Sequence, residues 1–161
     1  MAWCTADLCD RFNQELQVAE PLFLRFGGKS SFAGPAATLK VFEDNSLVRE
    51  AFEGPGLGRV LVVDGGGSRR RALVGDMLGK LAIDNGWAGA IINGSIRDSK
   101  VIGDMPLGIH ALGTCPRKSE KRGAGERELA LQFAGISIKP GDWVYADEDG
   151  IVVASRELPV D

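Results

Sequence analysis

The sequence is poor in the residues that most often announce chemistry. It has one histidine, His110, and three cysteines, Cys4, Cys9 and Cys115. The cysteines lack metal-ligand spacing and are odd in number, so they read as reduced thiols of a cytoplasmic protein. His110 stands in an alternating stretch with no carboxylate or nucleophile beside it, which argues against a Ser-His or Cys-His triad. No apolar run approaches the ~20 residues that cross a bilayer, and no signal-peptide pattern opens the sequence, so no membrane partner is expected. A basic excess is missing as well. The net charge of -3 gives no nucleic-acid footprint. Nucleotide fingerprints also fail: Gly75-Asp76-Met77-Leu78-Gly79-Lys80 is one residue short of a P-loop and continues into Leu81, not Ser or Thr. No G-x-G-x-x-G follows a strand, and there are no repeats, low-complexity tracts or linkers.

What is present is ordinary for a globular chain. The 161 residues are 44% hydrophobic and 25% charged, which fits one α/β domain over residues 1–161 with a sizeable core. The 22 glycines imply many tight turns and close backbone approaches.

The organising stretch runs over residues 59–98 and reads as strand, glycine turn, helix, strand and loop. Val60-Leu61-Val62-Val63 is a short apolar run bounded by Asp64 and three glycines, the pattern of a strand buried on both faces. Met77, Leu78, Leu81, Ala82 and Ile83 fall at helical spacing, and Asn85-Gly86 closes that helix. Residues 88–92 form the next apolar strand. In such a unit ligands bind beyond the C-terminal strand ends, beside helix N-termini.

Elsewhere the pattern predicts a helix over residues 6–12 capped by Thr5, with Met1 and Ala2 leading into it. It predicts a strand over 37–42, a helix over 46–52 capped by Asn45, and extended chain over 107–112. Residues 117–127, mixed in charge and holding two glycines, read as a mobile loop. Strands over 129–133, 136–138, 143–146 and 151–154 follow, joined by turns at 139–142 and 147–150. Helices followed by hairpins in one short chain indicate a layered α/β sandwich with mixed sheets.

Three motifs have plain explanations. Gly65-Gly66-Gly67-Ser68 is better explained as a sharp strand-to-helix turn than as a phosphate cradle. Arg69-Arg70-Arg71 fits a solvated run or a source of ion pairs at a subunit interface. Asp147-Glu148-Asp149-Gly150 lacks the later ligands of a calcium loop and fits a hairpin turn.

Asp76 and the pair Arg97-Asp98 ask for more. Backbone N–H groups around Gly75, Asp76, Met77 and Leu78 can hold a carboxylate at a helix start. Arg97 offers a permanently charged, bidentate partner for a carboxylate or an enolate oxygen. Asp98 offers a hard oxygen to Mg²⁺ or Mn²⁺, cations that keep several waters. A carboxylate clamp, a cation and a guanidinium suit formation of the enolate of a 2-oxo acid.

At these residues the sequence resembles a known family. Asp-x20-Arg-Asp is similar to the divalent-metal motif of the class II 4-hydroxy-4-methyl-2-oxoglutarate aldolases, which share a fold with the regulator of ribonuclease activity A. Glu20-Pro21-Leu22-Phe23, Phe26-Gly27-Gly28, Phe42-Glu43-Asp44-Asn45, the block from Arg59 to Ser68 and Tyr145-Ala146-Asp147 extend the resemblance over nearly the whole chain. It implies a homotrimer with sites near subunit boundaries, and cleavage of the hydroxy-methyl acid to two pyruvates with decarboxylation of oxaloacetate as a side activity. It implies that Gly75, Asp76, Met77 and Leu78 bind substrate, that Arg97 binds substrate and stabilises the enolate, and that Asp98 holds the metal. Val101 stands where the aldolase motif carries an acid, and Asp104 is the next acid along. The regulator branch implies the alternative, a non-catalytic inhibitor of ribonuclease E. That branch lacks the Arg-Asp pair, which this chain keeps.

Overall fold

The computed structural model describes residues 3–160. Met1, Ala2 and Asp161 lie outside them, and with Met1 and Ala2 the expected lead into the first helix. In chain order the elements are α1 (Thr5–Phe12), a 3-10 turn (Asn13–Glu15), β1 (Leu16–Val18), β2 (Leu24–Phe26), β3 (Phe32–Lys40), α2 (Ser46–Glu53) and β4 (Val60–Asp64). Then come β5 (Ala72–Val74), α3 (Asp76–Asp84), β6 (Gly89–Ile96), α4 (Ser99–Gly103) and β7 (Gly108–Thr114). The chain ends with β8 (Glu126–Arg127), β9 (Leu131–Phe133), β10 (Ile136–Ile138), β11 (Trp143–Asp147) and β12 (Gly150–Ala154).

One ten-stranded sheet runs β1-β12-β11-β3-β4-β6-β7-β2, with β5 added to β6 and β8 to β3, while β9 and β10 form a separate hairpin. The centre, β3-β4-β6-β7, is parallel, and both flanks are antiparallel. Val60, Val62 and Ile91 of the parallel half share a core with Val144, Ala146, Ile151 and Val153 of the antiparallel half. The sheet therefore curls back on itself. Its other face is covered by α2 and α3, whose Val48, Phe52, Leu78 and Ala82 pack on Leu61, Val63, Ala90 and Ile92. Burial on both faces is why β4 is apolar at four consecutive positions. A third cluster packs Leu8 of α1 against Tyr145, Val152 and Leu158. This is the mixed, layered α/β architecture that the pattern indicates.

Phe32 decides how tightly the halves meet. Gly89 and Gly108 stand opposite each other on β6 and β7. A Cβ at either would lie 2.4 Å or 2.2 Å from the Phe32 ring, so the two glycines form its slot.

Several local expectations need correction. Cys4, not Thr5, is the N-cap of α1, its Sγ accepting the Asp7 N–H at 3.5 Å. Thr5 donates its N–H and Oγ1 to Asp147 at 2.7 and 2.6 Å. Strand β3 begins at Phe32 rather than Ala37 and ends at Lys40. Asn45 holds the N-cap position of α2, but Asp44 Oδ1 accepts the Ser46 N–H at 2.9 Å. The glycine turn leads into β5 before α3, and the turn after Asp98 is the short helix α4. Neither β1 nor β2 is visible in the sequence pattern, because each is three residues long and gains its order from pairing with β12 or β7.

Candidate active site

Parallel pairing of β5 with β6 creates the site. Both strands end at the same edge, so Gly75 at the start of α3 lies beside Arg97 and Asp98. The Arg97 N–H donates to the Val74 carbonyl at 2.9 Å and extends that register by one residue. Asp98 then turns the chain in the left-handed region (φ 57°, ψ 37°), a conformation Asp tolerates better than most residues. The turn brings its carboxylate back over α3, where Oδ2 accepts the Asp76 N–H at 2.9 Å. Gly75 permits the contact, since a Cβ there would stand 2.7 Å from Asp98 Oδ2 and 3.5 Å from Arg97 Nε.

All six predicted site residues, Gly75, Asp76, Met77, Leu78, Arg97 and Asp98, line one cleft of about 110 Å³. Of the N–H groups expected to hold a carboxylate, that of Asp76 is already taken by Asp98. Those of Met77 and Leu78 have no acceptor within the described chain. The Met77 side chain is largely exposed and that of Leu78 is in the core, so their backbones are what they offer the cleft. Arg97 Nη1 makes one long bond, 3.4 Å, to the Pro116 carbonyl, which leaves most of its donors for a ligand.

Asp98 Oδ1 accepts no hydrogen bond within the described chain, so one hard oxygen faces the cleft region unspent. Among the described residues no three His, Cys, Asp or Glu side chains cluster to hold a metal. A single carboxylate oxygen fits Mg²⁺ or Mn²⁺ with retained waters and does not fit a closed zinc site. Val101 is half-exposed on α4 and is not among the cleft residues, so the missing motif acid is not replaced there.

The opposite wall was not foreseen. Asn45, Ser46 and Arg49 from the start of α2, with Lys118, Ser119 and Lys121, complete the cleft. The expectation of a mobile loop over 117–127 is corrected here. Ser119 Oγ donates to the Ala72 carbonyl at 2.6 Å, Lys118 bridges to Ala72 and Glu120 to Asp44. Asp44 Oδ2 accepts the N–H groups of Arg122 and Ala124 at 2.8 and 3.2 Å. Burial pushes the Asp44 carboxyl up, but bonds from Ser46, Arg122 and Ala124 outweigh this and hold it below the usual range. No sequence spacing signals these tethers.

The functional alternatives to the plain readings fall away, although the glycine turn joins β4 to strand β5 and not to a helix. Every N–H of the glycine turn is spent within the protein: Gly65 and Gly67 on the Asn93 carbonyl, Gly66 on Asp64 Oδ1 and Ser68 on the Gly65 carbonyl. No phosphate cradle remains. Arg70 pairs with Glu43 at 2.7 Å and Arg71 with Glu120 at 3.5 Å, so two of the three arginines are bound inside the chain. Lys80, the lysine of the near P-loop, pairs with Asp84 at 2.8 Å. Asp147 does turn the hairpin, accepting the Asp149 N–H at 2.9 Å. A larger groove of about 570 Å³ lies elsewhere, along β2 and the β11–β12 turn, and holds His110, Arg25 and Asp147 but none of the predicted site residues.

The model of the RraA-like family, described as Aldolase/RraA, matches residues 5–153. The chain belongs to that family. A protein of Laribacter hongkongensis named "Putative 4-hydroxy-4-methyl-2-oxoglutarate aldolase" is 61% identical over 158 residues, covering 98% of this chain and 99% of its own. One of Aromatoleum aromaticum with the same name is 56% identical, with the same coverage. Among solved structures, the RNA-processing inhibitor RraA from Thermus thermophilis superposes with a TM-score of 0.95 at 42% identity, over 98% of this chain and 96% of that one. A Geobacillus kaustophilus structure described as an S-adenosylmethionine:2-dimethylmenaquinone methyltransferase gives 0.94 at 56% identity, over 99% of each chain. Within one fold the relatives bear different functional descriptions, so the argument for activity rests on the cleft.

Proposed function

We propose that the chain is a divalent-metal-dependent lyase that cleaves 4-hydroxy-4-methyl-2-oxoglutarate to two pyruvates by retro-aldol chemistry and decarboxylates oxaloacetate as a side activity. The observation that carries this is the convergence of Arg97, Asp98 and the open N–H groups of Met77 and Leu78 on one small cleft. The names of the relatives support the aldolase class.

In this reading the carboxylate of the 2-oxo end binds the Met77 and Leu78 N–H groups at the α3 N-terminus. Arg97 spans that carboxylate and the 2-oxo oxygen, where its charge meets the negative charge that develops. Asp98 would hold the cation, which when bound supplies Lewis-acid polarisation of the oxo group. The C4 hydroxyl gives its proton to a water hydrogen-bonded to Arg97, the C3–C4 bond breaks, and its electron pair passes into the enolate at C2–C3. C4 becomes the carbonyl of the first pyruvate. Protonation at C3 completes the second, so the atoms balance without a further reactant. The cap bond to Asp76 fixes the direction of the Asp98 carboxylate before any ligand arrives.

The test is release of pyruvate from the hydroxy-methyl acid and from oxaloacetate, each with Mg²⁺, with Mn²⁺ and with chelator. Metal-dependent release supports the lyase. No release from either acid overturns it and leaves the second reading, an inhibitor that binds ribonuclease E. The superposition on the Thermus thermophilis inhibitor favours that alternative, and direct addition of the chain to a ribonuclease E cleavage assay measures it.

A further inference from the structure

The cleft has a cationic wall that cleavage at the oxo end does not use. Lys118 and Lys121 line it from the segment after Pro116, facing the helix start across the cleft, and Arg49 joins them from α2. Neither lysine forms an ion pair among the described residues, whereas Arg122 and Arg71 both pair with Glu120 and Arg49 lies 3.5 Å from Glu53. Their backbone is not free to drift. Ser119 between them is only 4% exposed and is tied to Ala72, and both bridges flank it. The cleft thus holds Arg49, Arg97, Lys118 and Lys121 against the carboxylates of Asp76 and Asp98. One carboxylate at the helix start and Arg97 leaves the lysine wall unanswered.

The geometry points to Lys118 and Lys121 as the subsite for a second carboxylate, making the cleft selective for dicarboxylic over monocarboxylic 2-oxo acids. This rests on the 2-oxo acid reading above and adds the residues that discriminate. Lysine suits the task, because its compact charge on a flexible stem accepts carboxylates at varied distance, unlike the planar fork that Arg97 presents to the reacting end. Both lysines are exposed at the rim of the cleft, so a charge pair formed there is sensitive to salt.

The experiment compares 4-hydroxy-4-methyl-2-oxoglutarate, with two carboxylates, and 4-hydroxy-2-oxopentanoate, with one, in the parent and in Lys118→Met/Lys121→Met. Calorimetric affinities for 2-oxoglutarate and 2-oxobutyrate with Mg²⁺ present give the same comparison without turnover. The dicarboxylic preference in kcat/KM and in affinity should fall about tenfold or more in the variant. It should return in Lys118→Arg/Lys121→Arg. In the parent it should shrink as salt is raised, an effect that needs no variant to fold. A parent without the preference, a preference unaffected by salt, or a methionine variant that keeps it overturns the proposal. A preference in affinity without turnover of either hydroxy acid keeps the subsite and overturns the lyase.

Discussion

The backbone N–H of Asp76 and Oδ2 of Asp98 are 2.9 Å apart, so the proposed metal ligand is also the acceptor that caps α3. One carboxylate has two roles, and substitutions separate them. Asp98→Asn keeps an acceptor and tolerates the left-handed backbone, so stability should hold while metal affinity and turnover fall, with excess metal restoring part of the rate. Asp98→Ala loses the cap and should cost about 1–2 kcal/mol besides. Melting temperatures and metal titrations of the two variants check this. Equal stability of Asn and Ala would show that the cap contributes nothing.

Arg97→Lys retains a charge but loses the planar fork. Metal binding should survive, while kcat falls by a factor of about 10²–10³, the usual loss of one oxyanion stabiliser. Steady-state kinetics over a metal series reads both. Turnover at the parent rate would reduce Arg97-Asp98 to a surface pair.

Gly75→Ala puts a Cβ 2.7 Å from Asp98 Oδ2, and the side chain rather than the backbone will give way. The backbone of Gly75 is extended, so no strain arises from the alanine itself. The expected result is a carboxylate swung off Asp76, a sharp loss of activity and a stability change of about 1 kcal/mol. A crystal structure of an active variant with the bond intact would contradict it.

His110 gives the fold a pH dependence. It is 4% exposed, packs edge-on against Phe32 at 5.5 Å, and its Nε2 has no hydrogen-bond partner among the described residues. Burial lowers its pKa from 6.5 to about 4, with Arg25 acting in the same direction and Asp147 opposing. The unfolded chain takes up a proton near pH 6.5, and the native chain does so only near 4. Stability conferred by the neutral ring is therefore present above about 6.5 and lost as pH falls toward 4, up to about 3 kcal/mol. Urea unfolding at several pH values, with His110→Gln as the non-titrating control, should show a shallower slope in the variant.

The chain should assemble as a homotrimer. Strand β2 ends the sheet with an unpaired outer edge, and Leu24, Val18 and Leu22 beside it are about half or more exposed. Light scattering should give three times the 17.1 kDa chain mass. A monomer at micromolar concentration would refute this.

Which parts of the molecule were legible follows from how each is held. Strand β4 is apolar at four positions in a row because both faces are covered, and α3 carries its period and its Asn85-Gly86 stop in the sequence. Strand β5 has only Ala72, Leu73 and Val74 after three arginines, and its order comes from pairing across a bulge with β6. The pair Arg97-Asp98 stands out as a motif. That Asp98 reaches back 22 residues to cap α3 depends on the β5–β6 register, which no local pattern encodes. Lys118 and Lys121 fell within a stretch that reads as a mobile loop because the tether that fixes their backbone, Ser119 to Ala72, spans 47 residues.

Thr5 and Asp147 are 142 positions apart, and their bonds have a consequence for the order of folding. Burial pushes the Asp147 carboxyl up, while bonds from Thr5, Asp149 and Gly150 outweigh this and keep it ionised and accepting. Helix α1 packs on β11 and β12, and β1 pairs with β12, so the start of the chain has nothing to dock on until the last hairpin exists. During synthesis α1 and β1 must wait for β11 and β12, and this closure of a very long loop makes the nascent chain slow to protect these first elements.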